Sequence, residues 1–554
     1  MAFSLKRNLR KLFENENEGS IHCINGIKAI FSIMLYFAHK TIPLGWTPFN
    51  NRIFFTLVSN NVGSVILRAS LIYTDSFLLM SGLLTSYNLT KEIMSKGKIS
   101  WTKKLLSRLI RLTPALLAVL LFYGYVWDNL GSGPMWNSLV KKNADICKDF
   151  MWRNLLYVQN FFPFEKMCAP QTHQLALDMQ LSILAPFFVT LLFKYDKLGF
   201  GILQALFLVS SIVRYYVAYY NDLSVVIYHG MPVSQLYNTA NKLYTQSLCR
   251  ASPYLLGVIV GHYLQKYKND IVIPRAVGGI GWITALSLGF YSIMSTSQMT
   301  SKEYDYNVTE AAQYAALSPV TWSFSLAWVI VACHVGFGGK LNEFLSSKNL
   351  LVFSRISYSL YLTQFLVFFY LVGVKRIPET FRLIDCFDIK EFFVIIFISV
   401  LVTLVFDIPM IDIKKLIVDD EKNSKPKINL QEPLEDQKEI EFEPTQDSKT
   451  EGDPLNDYIE VSNANETDFE KLELEKNNFD YDYDPEDPDE EDAPENVFVN
   501  DNDEDIIEIT VPLFNQTVRR SSVNNIHVVK NFMFNIKITC SLNCQQYLLP
   551  RPQN

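Results

Sequence analysis

Ten apolar runs, each about 18 residues or longer, confine this 554-residue chain to one architecture. A helix of that length crosses the roughly 30 Å hydrocarbon core of a bilayer, where only helices and closed barrels satisfy their own backbone. The runs cover residues 26–44, 61–86, 106–128, 174–193, 198–219, 250–266, 272–294, 315–336, 350–374 and 388–412. They predict an all-α, polytopic transmembrane bundle of about ten helices spanning residues 23–415. A basic segment, 1–22, precedes it and an acidic tail, 416–554, follows.

Charge orients the bundle. Lys91, Lys96, Lys98, Lys103, Lys104, Arg108 and Arg111 crowd residues 88–111, and the connections near Lys194, Lys266 and Lys340 are also basic. In a ten-helix bundle all of these fall on one side, which the positive-inside rule makes cytosolic together with both termini. Lys375, Arg376 and Arg382 run against that assignment, because they fall in an outer loop. At the N-terminus, Lys6, Arg7, Arg10 and Lys11 lead into the polar stretch Glu14 to Ser20 rather than into an apolar signal core. Insertion is therefore expected to rest on the first span, in the plasma membrane or the endoplasmic reticulum. The tail is different in kind: residues 419–510 hold 34 acids and 7 bases, so a net charge of −7 conceals a basic membrane domain. Such a segment buries too little apolar surface to offset chain ordering and is expected to be disordered, with protein partners as its candidate ligands.

The outer side carries the cysteine signal. Cys147 and Cys168 bracket the loop between the third and fourth spans, in the redox environment where disulfides persist, and are expected to be bridged. Cys23, Cys249, Cys333 and Cys386 show no metal spacing, and Cys540 and Cys544 have no accompanying histidines, so no metal site is expected. Asn307-Val308-Thr309 is a glycosylation sequon on the outer side, whereas those at Asn88, Asn465 and Asn515 fall on the cytosolic side and should be silent.

His39 stands inside the first span, where an ionisable group costs roughly 2.5 kcal/mol or more and is a functional candidate by default. Lys28, eleven residues earlier, lies three turns away plus about 20°, on the same helical face and about 16 Å along the axis. A cation near one membrane face and a base nearer the other suit chemistry across a membrane. The plainer alternative is that Lys28 reaches to headgroups and His39 bonds a neighbouring helix.

Three strings then converge. Gly26-Ile27-Lys28 with His39, Asp75-Ser76-Phe77-Leu78-Leu79-Met80-Ser81-Gly82, and Arg108-Leu109-Ile110-Arg111-Leu112-Thr113-Pro114 resemble, in order and spacing, the opening motifs of the acyltransferase type 3 family. Residues from Cys147 to Tyr157, from Cys168 to Gln180, Pro253 to Gly257, Trp322 with Trp328, and Ser354 to Tyr358 resemble its animal branch, nose resistant to fluoxetine. The resemblance covers about residues 20–415. It implies transfer of an acyl group from cytosolic acyl-coenzyme A to a hydroxyl-bearing lipid or small-molecule acceptor. On that reading His39 is the general base. Asp75 or Asp178 orients its ring. Arg108 and Arg111 bind the donor as bidentate forks on its phosphates, and Lys28 serves the donor or the developing charge. The chain departs from the pattern at Lys28, where the family has arginine, at Gln364, where the branch usually has histidine, and at Gln171 to Gln174 and Leu177. It also has only some 25 residues where the branch carries a large extracellular domain. These departures keep a second class open, a non-catalytic membrane protein of the same fold that transports lipids or small molecules or acts as a scaffold. No glycine-rich phosphate loop, nucleophile elbow or metal cluster supports a kinase, a nuclease or a soluble hydrolase, and no nucleic-acid partner is expected.

Overall fold

Each of the ten apolar runs forms a helix. They are α1 (Cys23–Trp46), α2 (Ser70–Lys96), α3 (Trp101–Leu121), α4 (His173–Lys194) and α5 (Asp196–Tyr220), then α6 (Ala251–Lys266), α7 (Arg275–Met294), α8 (Val308–His334) and α9 (Lys348–Gly373). The tenth, α10, runs as Ile389–Val402, a π-turn Thr403–Asp407, and Ile408–Asp419. The structure, a computed structural model, describes residues 2–15, 20–268, 271–419, 506–510 and 517–521. The chain divides into two units, Met1–Lys427 and Ile428–Asn554. In the second, Ile506–Thr510 pairs antiparallel with Thr517–Ser521, and the acidic blocks assigned to the tail lie outside the described residues. The first unit is all-α.

Eight helices of the first unit are long and apolar enough to cross a membrane. The other two owe their places to packing. Helix α1 carries Lys28, His39 and Lys40, and α6 is only 16 residues long. Helix α6 is the hub of the bundle, buried along most of its length from Ala251 to Leu264. It lies directly on α2 because small residues face each other: a Cβ on Gly257 would stand 2.2 Å from the Leu79 carbonyl oxygen, and one on Gly261 2.2 Å from that of Leu83. Gly82 answers from α2, 2.3 Å from the Tyr254 oxygen by the same measure. Where lipid offers no hydrophobic drive between helices, such close backbone approach supplies the attraction.

The connections gather at two ends. At one, Phe49 of the α1–α2 connection meets Phe381 of the α9–α10 connection at 5.2 Å, and Tyr228 stacks on Tyr306 at 5.1 Å. Nearby, Asn241 accepts from the Phe164 amide at 2.7 Å. Cys147 and Cys168 are disulfide-bonded here, with Cα atoms 4.4 Å apart, as the sequence led us to expect. The basic residues that opposed the charge rule are also here and find local partners: Lys375 pairs with Glu379 and Arg382 with Asp385 at 3.4 Å, while Arg376 donates to the uncharged Ser132 at 2.8 Å. Closing a loop of this length restricts the unfolded chain, so Cys147→Ser with Cys168→Ser is expected to lower stability by roughly 3 kcal/mol. Thermal unfolding in detergent checks this, and an unchanged midpoint would contradict it.

At the other end Lys104 pairs with Glu92 at 2.7 Å, and Lys266 with Asp196 at 3.0 Å. The N-terminal helix Leu5–Leu12 docks at this end on α9 and α10. Its buried Asn8 donates to the Leu404 carbonyl at 3.0 Å, within the π-turn. Arg355 in turn donates 2.8 Å bonds to the carbonyls of Lys11 and Leu12, capping a helix end whose acceptors have no partner within the helix.

Candidate active site

Helices α1, α2, α3, α4 and α9 enclose a cavity of about 810 Å³. Its lining on α2 runs from Thr74 to Leu89, so it is about 20 Å deep at 1.5 Å per residue. At the basic end Lys28, Lys104, Arg108, Arg111 and Lys414 line it; among the described lining residues the carboxylate is Asp178. Glu92, Asp178 and Asp407 pair with Lys104, Arg108 and Arg111, and the five cations gathered here make a mouth suited to a polyanion. The far floor is neutral and polar, formed by Thr74, Gln174, Tyr361 and Gln364.

Helix α1 joins the two levels. Lys28, Ser32 and Leu35 line the cavity, and His39 continues the same stripe one turn on, as 100° per residue requires. The His39 ring is buried, 4.9 Å from the Phe365 ring, with Nδ1 2.9 Å from the Gln364 side-chain amide. Gln364 thus stands between His39 and the cavity. Either amide atom can face the ring, and the choice decides which imidazole nitrogen carries the proton.

Neither carboxylate expected to orient His39 is bonded to it. Asp75, on α2, lies 2.8 Å from Nη2 of Arg250, the residue just before α6, both side chains almost wholly buried. Arg250 also donates to Thr74 Oγ1 at 2.8 Å and lies over Tyr244 at 4.8 Å. Buried charges persist where they are paired, and the partner of Asp75 is Arg250 and not His39. Asp178 instead pairs with Arg108, while Ser81 donates to Asp178 and Arg108 donates to Ser81 at 3.1 Å. This knot ties α2, α3 and α4 on the cavity wall. Arg111 stands 3.9 Å from Asp407 of the π-turn.

Several residues lay beyond sequence reasoning. His173, assigned to the region of the outer loop, is the first residue of α4: Nδ1 bonds the Pro170 carbonyl at 2.8 Å and the ring packs 4.6 Å from Tyr244. Lys40 pairs with Glu391 of α10, which also accepts from Tyr36 at 3.3 Å. Lys40, Glu391 and Asp407 are ionisable residues inside apolar runs, and that alone was a readable signal.

The apolar helices, with a cavity, a basic mouth and an intramembrane histidine among them, are those of a multipass membrane protein. The chain belongs to the acyltransferase type 3 family, whose model, described as an acyltransferase domain, matches residues 21–408. It is similar to nose resistant to fluoxetine protein 6 of Caenorhabditis elegans, with 25% identity over 388 residues, covering 65% of this chain and 47% of the relative. It is also similar to regulator of hypoxia-inducible factor 1 of the same organism, at 24% over 213 residues, covering 36% of this chain and 41% of the relative. The chain thus spans about half the length, or less, of these curated relatives. No solved structure matches it.

Proposed function

We propose that this protein transfers an acyl group from acyl-coenzyme A, bound from the cytosol, to a hydroxyl on a lipid or small-molecule acceptor. The observation that carries the reading is the single cavity linking a mouth of five cations to a floor at which Gln364 bonds His39. Phosphates of the donor sit among Lys28, Arg108, Arg111 and their neighbours, where charge-assisted bonds are strong. The thioester reaches the floor. With the Gln364 oxygen accepting from Nδ1–H, His39 keeps Nε2 as its basic nitrogen, and the acceptor gives up its hydroxyl proton there, on the side of the ring away from Gln364. The oxygen attacks the thioester carbonyl carbon, the carbon–sulfur bond breaks, and the coenzyme A thiolate leaves with the proton from the imidazolium. Asp75 and Asp178 act at a remove, the first holding α2 to α6 and the second holding Arg108 in place.

Transfer of label from acyl-coenzyme A to membrane lipid extract by the purified protein tests this. Arg108→Ala is expected to weaken donor binding at least tenfold with less effect on the step at saturation, since it removes ground-state binding. Unchanged donor affinity in a folded variant would remove Arg108 from the donor site. A second reading, a non-catalytic carrier or scaffold, draws on the neutral partner of His39; donor binding without any transfer would select it.

The same reading places the basic end and both termini in the cytosol and Asn307 outside. Asn307 is exposed and caps α8 through its side-chain oxygen, which accepts from the amides of Thr309 and Glu310, so its nitrogen is available for glycan attachment. Glycosidase treatment is expected to shift wild type, and Asn307→Gln to abolish that shift. A shift that survives the substitution would contradict the assignment.

A further inference from the structure

Helices α3 and α4 both line the cavity, yet they do not pack along each other. Their halves at the disulfide end are joined indirectly. Leu116, Val119 and Leu120 of α3 and Leu175, Ala176 and Met179 of α4 share one core with Tyr157, Cys147 and Cys168 of the intervening loop. Tyr157 bridges the two, its hydroxyl 3.1 Å from Thr113 Oγ1 on α3 and its carbonyl accepting from Gln180 on α4 at 2.8 Å, and the Arg108–Asp178 pair is the last tie toward the basic end. Toward the basic end Leu105 on α3 and Ile183 and Pro186 on α4 line the cavity, while Leu112 lines it and still packs against that core. Leu105 is 38% and Ile183 46% exposed, in contrast to the closed core beyond Tyr157.

The depth of this gap is informative. Leu105 and Leu112 lie about 6 and 16 Å along α3 from Trp101, and Pro186 and Ile183 about 12 and 16 Å along α4 from Lys194. One leaflet contributes about 15 Å of hydrocarbon. Measured from those helix ends, the gap opens within the depth of the inner leaflet, beside the basic mouth. Leu35, Phe77, Leu78 and Leu175 line the cavity on the way from its polar floor to the gap.

We propose that the inner halves of α3 and α4 frame a lateral portal that takes the hydrocarbon tail of a long-chain acyl donor. This rests on the donor reading of the cavity: phosphates at the mouth, thioester at Gln364, and the chain turning out between Leu105 and Ile183 into the leaflet. The protein's substrates are then long-chain acyl thioesters, because an acetyl group leaves the apolar path and the portal empty.

The test is direct binding of non-hydrolysable thioether analogues of acetyl- and palmitoyl-coenzyme A to the full chain in phosphatidylcholine nanodiscs, corrected for uptake by protein-free discs. The palmitoyl analogue is expected to bind at least about tenfold more tightly, a modest share of what burying a long chain supplies. Leu105→Trp and Ile183→Trp, made separately, are each expected to erase most of that preference while leaving the acetyl analogue's affinity within about twofold, which also reports that the variant is folded. Equal binding of the two analogues by wild type, or a chain preference that survives both tryptophans, would overturn the portal while leaving the donor site standing. Binding of neither analogue would overturn both.

Discussion

Replacing His39 by alanine is expected to lower acyl transfer at least a hundredfold, the lower bound of what a positioned general base contributes. The expectation is strong because the site has no ready substitute: the two carboxylates nearest in the motif pattern, Asp75 and Asp178, are committed to Arg250 and Arg108. Donor binding should survive, since the cations of the mouth lie on other turns and other helices. Measuring transfer and donor affinity on the same preparation separates the two. Normal transfer by a folded His39→Ala protein would remove the histidine from the chemistry.

Arg250→Met is expected to destabilise the bundle by roughly 3–5 kcal/mol, the usual cost of leaving one member of a buried ion pair unpartnered. Asp75 would be left in a buried wall without its cation, and Thr74 would lose its guanidinium donor at the cavity floor. Adding Asp75→Asn to Arg250→Met should return much of the loss, because the pair's net worth is small compared with the penalty for an orphaned charge. Thermal unfolding in detergent decides. A single variant as stable as wild type would show that Asp75 is already compensated elsewhere.

The helices were legible because membrane spans declare themselves by length, and the Lys28–His39 stripe because helical phase is local. Partners were not legible. Arg108 and Asp178 lie 70 positions apart and His39 and Gln364 325 apart, and which side chains meet depends on how the helices rotate and cross. Gln364 illustrates the difference: as a letter it was a departure from the family pattern, and in space it is the hydrogen-bond partner of the candidate base. Gly257 and Gly261 were equally mute, since four-residue spacing of small residues says that a neighbour comes close without saying which. The disulfide was readable because both cysteines lie in one loop.

The docked helix Leu5–Leu12 gives α10 an anchor. Arg7 holds Asp412 at 3.0 Å with Lys11 on the same carboxylate, and Asn8 holds the π-turn that carries Asp407 toward Arg111. Lys414, two residues beyond Asp412, lines the cavity mouth. The calibre of that mouth is consequently set by a latch thirty residues ahead of the candidate base. Fusing a bulky tag directly to the amino terminus would load the latch and widen or skew the gate, whereas the same tag placed after the tail would leave it unstressed.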